Sequence, residues 1–394
     1  MSAMAPSKSS TTRKFWLHRP FWILSLAIFL NAYSYGVAAV STTWLSTSES
    51  WSLWHLISAP GGLIIGILSG GIAADRIGRT RLLRWTPIGY VIGASILLMS
   101  HSHFLTAWGC LALVITAGME STTVLALAQE LLPKPVRKNA FYLTMNFSNL
   151  GGMALAILTA AIPQKSMHRQ LMISLIPLVL APLSFWLRRR LPESARWLHA
   201  MKSAAKNNKP FYATLRFTVS ILFSYTNATG FALATYALGI KVYPTQFARF
   251  LILSTAGAFV AGLASPLFAK IPVSRLLLFS YGSTFLFALA LWIHPTIHWA
   301  PWTGLSIGTG VAFLAENEFK TSAWPSRIRG RVTAWERVGG QLGYLITLIA
   351  VQKQSFPKFT QTLGWIWMVG LVAAVIWILS VRRSTVVQGH CKTR

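Results

Sequence analysis

The chain has 394 residues, of which 54% are hydrophobic and only 11% charged, with a mean hydropathy of +0.52. Lys and Arg number 36 against 8 acids, a net charge of +28, yet long windows carry no charge, which excludes a soluble nucleic-acid-binding domain. Two cysteines, Cys110 and Cys391, exclude a disulfide framework and a cysteine zinc cluster. So much apolar surface points to an integral membrane protein.

A spanning helix needs about 20 mainly apolar residues, about 30 Å of helix. Twelve windows qualify: 21–40, 53–73, 83–100, 105–130, 140–161, 171–187, 212–236, 249–269, 276–293, 301–319, 332–351 and 363–381. The first follows Arg13, Lys14 and Arg19, and its apolar run is too long for a cleaved signal peptide, so it reads as a retained anchor. It holds Asn31 and Tyr35. Between spans 2 and 3 stands Gly71-Ile-Ala-Ala-Asp75-Arg76-Ile-Gly78-Arg79-Thr80-Arg81. Gly71 omits a side chain where helices must approach closely, and Asp75 suits the positive N-terminal end of another helix.

Span 4 carries Cys110, Glu120 and, at its inner end, Glu130, followed by Pro133 and Arg137. Glu120 precedes Glu130 by ten residues, so it lies about 15 Å deeper, where an acid is costly and suits proton uptake and release. Span 5 adds Asn146 and Asn149. After span 6 comes Pro192-Glu193-Ser194-Ala195-Arg196, within a polar insert that separates the two halves. Spans 7, 10 and 11 bring Tyr225, Asn227 and Tyr236, then Glu316 and Asn317, then Gln341. Glu316 is a second candidate for proton coupling, or a gate acid; Glu336 beside Arg337 reads as a local pair. The amides and phenols suit a substrate that hydrogen-bonds through an aromatic or oxygenated face, or they could tie helices together. His101, His103, His294 and His298 have no metal spacing, and Trp16, Trp44, Trp299 and Trp365 sit near span ends as interfacial anchors.

With the N-terminus inside, only Lys165, Arg169, Lys241, Arg249, Lys353 and Lys358 of the 36 basic residues fall outside. This asymmetry orients an even number of spans with both termini cytoplasmic, and it accounts for the net charge as topology signal and anionic-lipid contact. The halves also repeat. Pro133-Lys-Pro-Val-Arg137 returns as Pro325-Ser-Arg-Ile-Arg329, and Asn149-Leu-Gly151 as Gln341-Leu-Gly343, each 192 positions later. Two units that enclose a site near mid-membrane follow from such a repeat.

These motifs resemble the major facilitator superfamily. The Gly71–Arg81 loop is similar to its loop signature, while Glu130-Leu-Leu-Pro133 with Arg137, and Pro192-Glu-Ser-Ala-Arg196, resemble elements of its sugar-porter and organic-acid symporter branches. The resemblance implies that Gly71, Asp75, Arg76, Gly78, Arg79, Glu130, Arg137, Glu193, Arg196 and Arg329 latch an inner gate. Asn31 and Ser34 stand where organic-acid symporters carry two acids, Cys110 where they carry an arginine, and the loop after span 8 lacks the Asp and both glycines. Ser322 takes the place equivalent to Glu130, with Glu318 one turn earlier as a substitute.

The expectation is an all-α integral membrane fold of twelve transmembrane helices in two six-helix bundles: a tail at 1–20, bundles at 21–187 and 212–381, a central loop at 188–211 and a tail at 382–394. Its function would be secondary active transport of a small organic solute, an organic or aromatic acid or a sugar-like metabolite, by proton-coupled alternating access. The competing readings are a facilitative uniporter and a non-transporting sensor or scaffold. No catalytic constellation, metal site, cofactor or nucleic-acid partner is expected; the partners are the solute, protons and membrane lipids, and the chain would be a monomer in the plasma membrane. The candidate coupling acids are Glu120 and Glu316. The candidate cavity groups are Asn31, Tyr35, Asn146, Asn149, Tyr225, Asn227, Tyr236, Asn317 and Gln341.

Overall fold

The computed structural model describes residues 15–41, 49–162, 167–202, 210–237, 247–294, 299–322, 324–351 and 354–391. The tail at 1–14, residues 203–209 of the central insert and Trp44 lie outside them, as do the side chains of Tyr236 and Trp299. Among the described residues the secondary structure is helical, without strands. Twelve long helices follow one another: α1 Arg19–Ser41, α2 Glu49–Ile77, α3 Arg79–Leu98, α4 His103–Leu131, α5 Arg137–Ala161, α6 Met167–Arg188, α7 Pro210–Ala232, α8 Phe247–Leu263, α9 Val273–Ile293, α10 Trp299–Ser322, α11 Arg329–Val351 and α12 Phe356–Cys391. The central insert contributes a short helix, Ala195–Lys202, and α7 runs on into a π-helical turn, Leu233–Ala237.

Seven of these helices contain a stretch long and apolar enough to cross a membrane: α1, α2, α4, α5, α6, α9 and α12. Of the others, α8 is apolar but short, and three carry polar groups of their own. α3 begins with Arg79, Arg81 and Arg84, α10 ends with Glu316, Glu318 and Lys320, and α11 opens with Arg329, Arg331, Glu336 and Arg337. Large apolar side chains crowd the outside as well: Ile65, Trp85, Val260, Phe279, Leu286 and Ile346 are all more than half exposed. A surface of that kind is at rest in lipid and not in water. This is a multi-pass membrane protein.

The helices pack in a repeated scheme. Within the first half α1 packs on α4, α5 and α6, α4 also on α2 and α3, and α3 on α6. Within the second half α7 packs on α10, α11 and α12, α10 also on α8 and α9, and α9 on α12. The same positions therefore meet in each half. Between halves α2 lies against α11 and α5 against α8, contacts that exchange when the halves are exchanged. Small residues permit the closest approaches. A Cβ on Gly66 of α2 would stand 2.0 Å from the carbonyl oxygen of Ile115 on α4, so only glycine lets these backbones meet.

Candidate functional site

A cavity of about 170 Å³ lies between the halves, walled by α1, α2, α5, α7, α8, α10 and α11. Six of the expected cavity groups line it: Asn31, Tyr35, Asn149, Asn227, Asn317 and Gln341. Asn31 donates to the carbonyl oxygen of Ala117, Asn317 to that of Phe313 at 2.8 Å, and the buried Oε1 of Gln341 has no hydrogen-bond partner among the described residues. Asn146 and Tyr225 do not line it. Asn146 donates to Phe259 O at 3.0 Å and accepts from Asn149 at 2.9 Å, joining α5 to α8, while Tyr225 pairs with Thr347 at 3.0 Å, joining α7 to α11. Both act as ties between helices, the other reading of such groups.

Glu316 is in the cavity wall, almost fully buried. One carboxylate oxygen holds the Lys320 ammonium in an ion pair, and the other accepts from Asn227 Nδ2 at 2.6 Å. Lys320 also donates to Ser224 Oγ at 2.6 Å. Arg337 completes the charged wall: among the described residues no hydrogen bond or ion pair engages its guanidinium, and Glu316 is the acid whose field it feels. Glu336 is not the local partner of Arg337 that adjacency suggested; successive helical residues point about 100° apart, and Glu336 instead accepts from Trp324 Nε1 at 3.0 Å. Lys320 and Arg337 had read as inner-face charges only. Their spacing held the missed signal, since Lys320 follows Glu316, and Gln341 follows Arg337, by one helical turn.

Glu120 lies elsewhere, wholly inside the first half. Its two oxygens meet the two terminal nitrogens of Arg188 at 2.8 Å each, and Thr86 donates to it at 2.5 Å. Both charges are fully buried. Arg188 had read as a loop charge; it is the last residue of α6, turned inward, whereas Arg189 and Arg190 are exposed.

The expected gate residues separate into two groups. Four of them, with Gly71, join the halves at one end of the molecule. Glu130 Oε1 accepts from Arg79 of its own half and from Arg329 of the other at 2.6 Å. Asp75 accepts from Arg79 at 3.2 Å and from the backbone N–H of Arg331 at 2.8 Å, at the positive start of α11. Arg79 also donates to the carbonyl oxygen of Ser326. Gly71 sits where a Cβ would be 2.4 Å from that of Ala334. The rest stay within the first half. Glu193 accepts the N–H of Thr80 at 3.1 Å and so caps α3, beside Gly78, whose φ of 105° favours glycine. Arg196 donates to Gln129 O at 3.3 Å, Arg137 to Leu132 O at 3.2 Å, and Arg76 is exposed.

A second bridge lies across the interface from the first. Glu318 of α10 accepts from Tyr142 of α5 and stands 3.5 Å from Lys138. It mirrors the first bridge, as an acid late in the fourth helix of one half meeting a cation at the start of the fifth helix of the other. Glu318 thus occupies the role left open by Ser322.

The same arrangement of helices is found in known proteins. A proton:xylose symporter, XylE, in a structure bound to 6-bromo-6-deoxy-D-glucose, superposes with a TM-score of 0.71 over 91% of this chain and 94% of that one, at 15% identity. A second transporter, FucP in the outward conformation, does so with 0.66 over 91% and 98%, at 12% identity. The family model of the Major Facilitator Superfamily matches residues 3–157. The fold is that of the major facilitator type, and the family model covers the first part of the chain. The resemblance carried by the inner-loop motifs is borne out. A gallate transporter of Pseudomonas putida is 30% identical over 222 residues, 50% of this chain and 48% of that protein. The glucose transporter GlcP of Staphylococcus epidermidis is 29% identical over 138 residues, 35% of this chain and 30% of that protein. The chain therefore spans about half the length of the first of these relatives, and less of the second.

Proposed function

We propose that this chain is a secondary active transporter that carries a small organic acid across the plasma membrane by alternating access, coupled to protons. The observation that carries the reading is Arg337: a cation facing the cavity whose donors meet no hydrogen-bond partner among the described residues, in a wall that also holds the Glu316–Lys320 pair, amides, hydroxyls and the rings of Phe231 and Phe313. A guanidinium presents a planar fork that matches a carboxylate. The amides and the open acceptor of Gln341 suit hydroxyl groups, and the two phenylalanines suit a flat ring. The partial likeness to a gallate transporter points the same way. A sugar-like solute is the second reading, favoured by the five amide side chains in the wall and by the glucose and xylose transporters among the relatives.

In this reading twelve helices span the bilayer as two six-helix bundles, residues 21–187 and 212–381, with both termini cytoplasmic and the monomer as the working unit. The bridges through Glu130 and Glu318 hold the cytoplasmic end shut, and rocking of the halves breaks them. Of the two coupling acids Glu316 is preferred, because it shares the solute's cavity; Glu120 is held by Arg188 outside it. A solute carboxylate that draws Lys320 toward itself leaves Glu316 without its ion-pair partner, and an unpaired buried carboxylate takes up a proton.

The test is uptake into proteoliposomes. A panel of hydroxybenzoates, aliphatic acids and hexoses is offered with and without an inward proton gradient. Accumulation of an acid that follows the gradient is the expected result. Equilibration without response to the gradient would establish the uniporter instead, and binding without flux a sensor.

A further inference from the structure

The ends of α3 and α6 carry a concentration of charge that neither the cavity nor the bridges use. Arg189 and Arg190 follow the last residue of α6, and each guanidinium lies over a ring one turn back: Arg189 at 4.8 Å from the centre of Phe185 and Arg190 at 5.1 Å from that of Trp186. From α3, Arg84 reaches the carbonyl oxygen of Arg189 at 3.5 Å, and the ring centres of Trp85 and Phe185 are 6.1 Å apart. The two helix ends therefore make one surface. Arg81 stands one turn before Trp85 on the same exposed side of α3. Glu193, three residues after Arg190, is engaged by the backbone N–H groups of Thr80 and Ser194.

From this basic end an apolar seam runs toward mid-membrane. Trp85, Ile88 and Ile92 on α3, with Val179, Leu183 and Trp186 on α6, are all between 42% and 59% exposed. Four arginines, aromatic rings beside them and a greasy seam beyond match the parts of a phospholipid in order. A topology signal needs only the charges; it does not need guanidinium groups seated over exposed rings and braced between two helices. In the second half the first turns of α9 carry one arginine, Arg275, where α3 carries Arg79, Arg81 and Arg84, and α12 runs past Arg382 and Arg383.

We infer that the α3–α6 corner is a binding site for an anionic phospholipid, its phosphate held by Arg81, Arg84, Arg189 and Arg190 and its chains lying in the seam. On the orientation proposed above the site faces the cytoplasmic leaflet, where acidic lipids supply the negative surface.

The test uses the full-length protein in detergent, equilibrated with equal amounts of phosphatidylglycerol and phosphatidylcholine of identical chains, with retained lipids counted by native mass spectrometry. The wild type should keep phosphatidylglycerol preferentially, and R189A/R190A should lose that preference by about tenfold. R189K/R190K should keep most of it because the charges remain, and R275A should match the wild type. Arg81→Ala leaves the end of α6 intact and should weaken retention even if the double variant folds poorly. Equal retention of the two lipids by the wild type, or undiminished preference in both R189A/R190A and Arg81→Ala, would overturn the assignment. No solute enters the measurement, so its failure and a failure of the transport reading are separate results.

Discussion

Glu130 on α4 and Arg329 at the start of α11 meet at 2.6 Å across the interface between the halves. The same carboxylate oxygen holds Arg79, which is fully buried, so one acid is shared by two cations. Removing one member of such a buried set costs about 3–5 kcal/mol where the structure stays closed, and less where it can open to water. Glu130→Gln should therefore favour the open end. Expected outcomes are a transport rate at least tenfold lower and faster alkylation of a Ser326→Cys reporter from the cytoplasmic side. Unchanged labelling and turnover would show that the bridge does not hold the end shut.

For Glu120 and Arg188 the expectation is structural. Two bonds of 2.8 Å between fully buried partners make a strut linking α4 to α6. Glu120→Gln leaves a buried guanidinium uncompensated and should lower stability by about 3 kcal/mol, read as a fall in melting temperature in detergent. The double variant E120Q/R188M should recover part of that loss. Below the melting transition, uptake by the double variant should still follow the proton gradient; loss of that response would return the coupling role to Glu120.

Glu316→Gln separates coupling from binding. The amide retains a hydrogen bond to Asn227 but cannot carry a proton. Exchange of labelled for unlabelled solute should persist, while accumulation driven by an inward proton gradient should disappear. A variant that still accumulates solute would exclude Glu316 as the carrier.

Arg337 tests the nature of the solute. Charge-assisted hydrogen bonds contribute about 1.5–3 kcal/mol, so Arg337→Gln should weaken binding of a carboxylate solute about 10–100-fold. Arg337→Lys keeps the charge but loses the fork and should recover only part of it. The amide and methyl ester of the same solute should bind wild type and variant alike. If ester and acid lose affinity equally, the guanidinium does not read the carboxylate.

The sequence made the repeated fold legible because duplication leaves marks in order and spacing: Arg137 and Arg329 open equivalent helices, and the packing scheme repeats with them. The apolar windows matched helices well where lipid faces one side and protein the other. They said less about α3, α10 and α11, whose polar groups turn inward. At the site, amides such as Asn149 and Asn227 were visible as costly groups within apolar runs. Arg188 was not, because nothing in a row of three arginines tells which one turns into the core. Glu120 stood out as a buried acid, but depth alone does not say whether a carboxylate faces a cavity or a cation. Asn146 and Tyr225 illustrate the same ambiguity, since a helix tie and a solute contact need the same atoms.

Arg137 donates to Leu132 O at 3.2 Å, and Arg329 donates to Trp324 O at 3.2 Å. Donor and acceptor are both displaced by 192 residues, so each half closes its fourth-to-fifth helix elbow with an identical internal brace. These braces do not cross the interface. In the alternating access proposed above, both elbows would travel as finished corners, and the contacts to be broken are those laid between the halves, the bonds of Asp75 and Glu130 among them. The two corners would thus keep their shape while the seam between them comes apart.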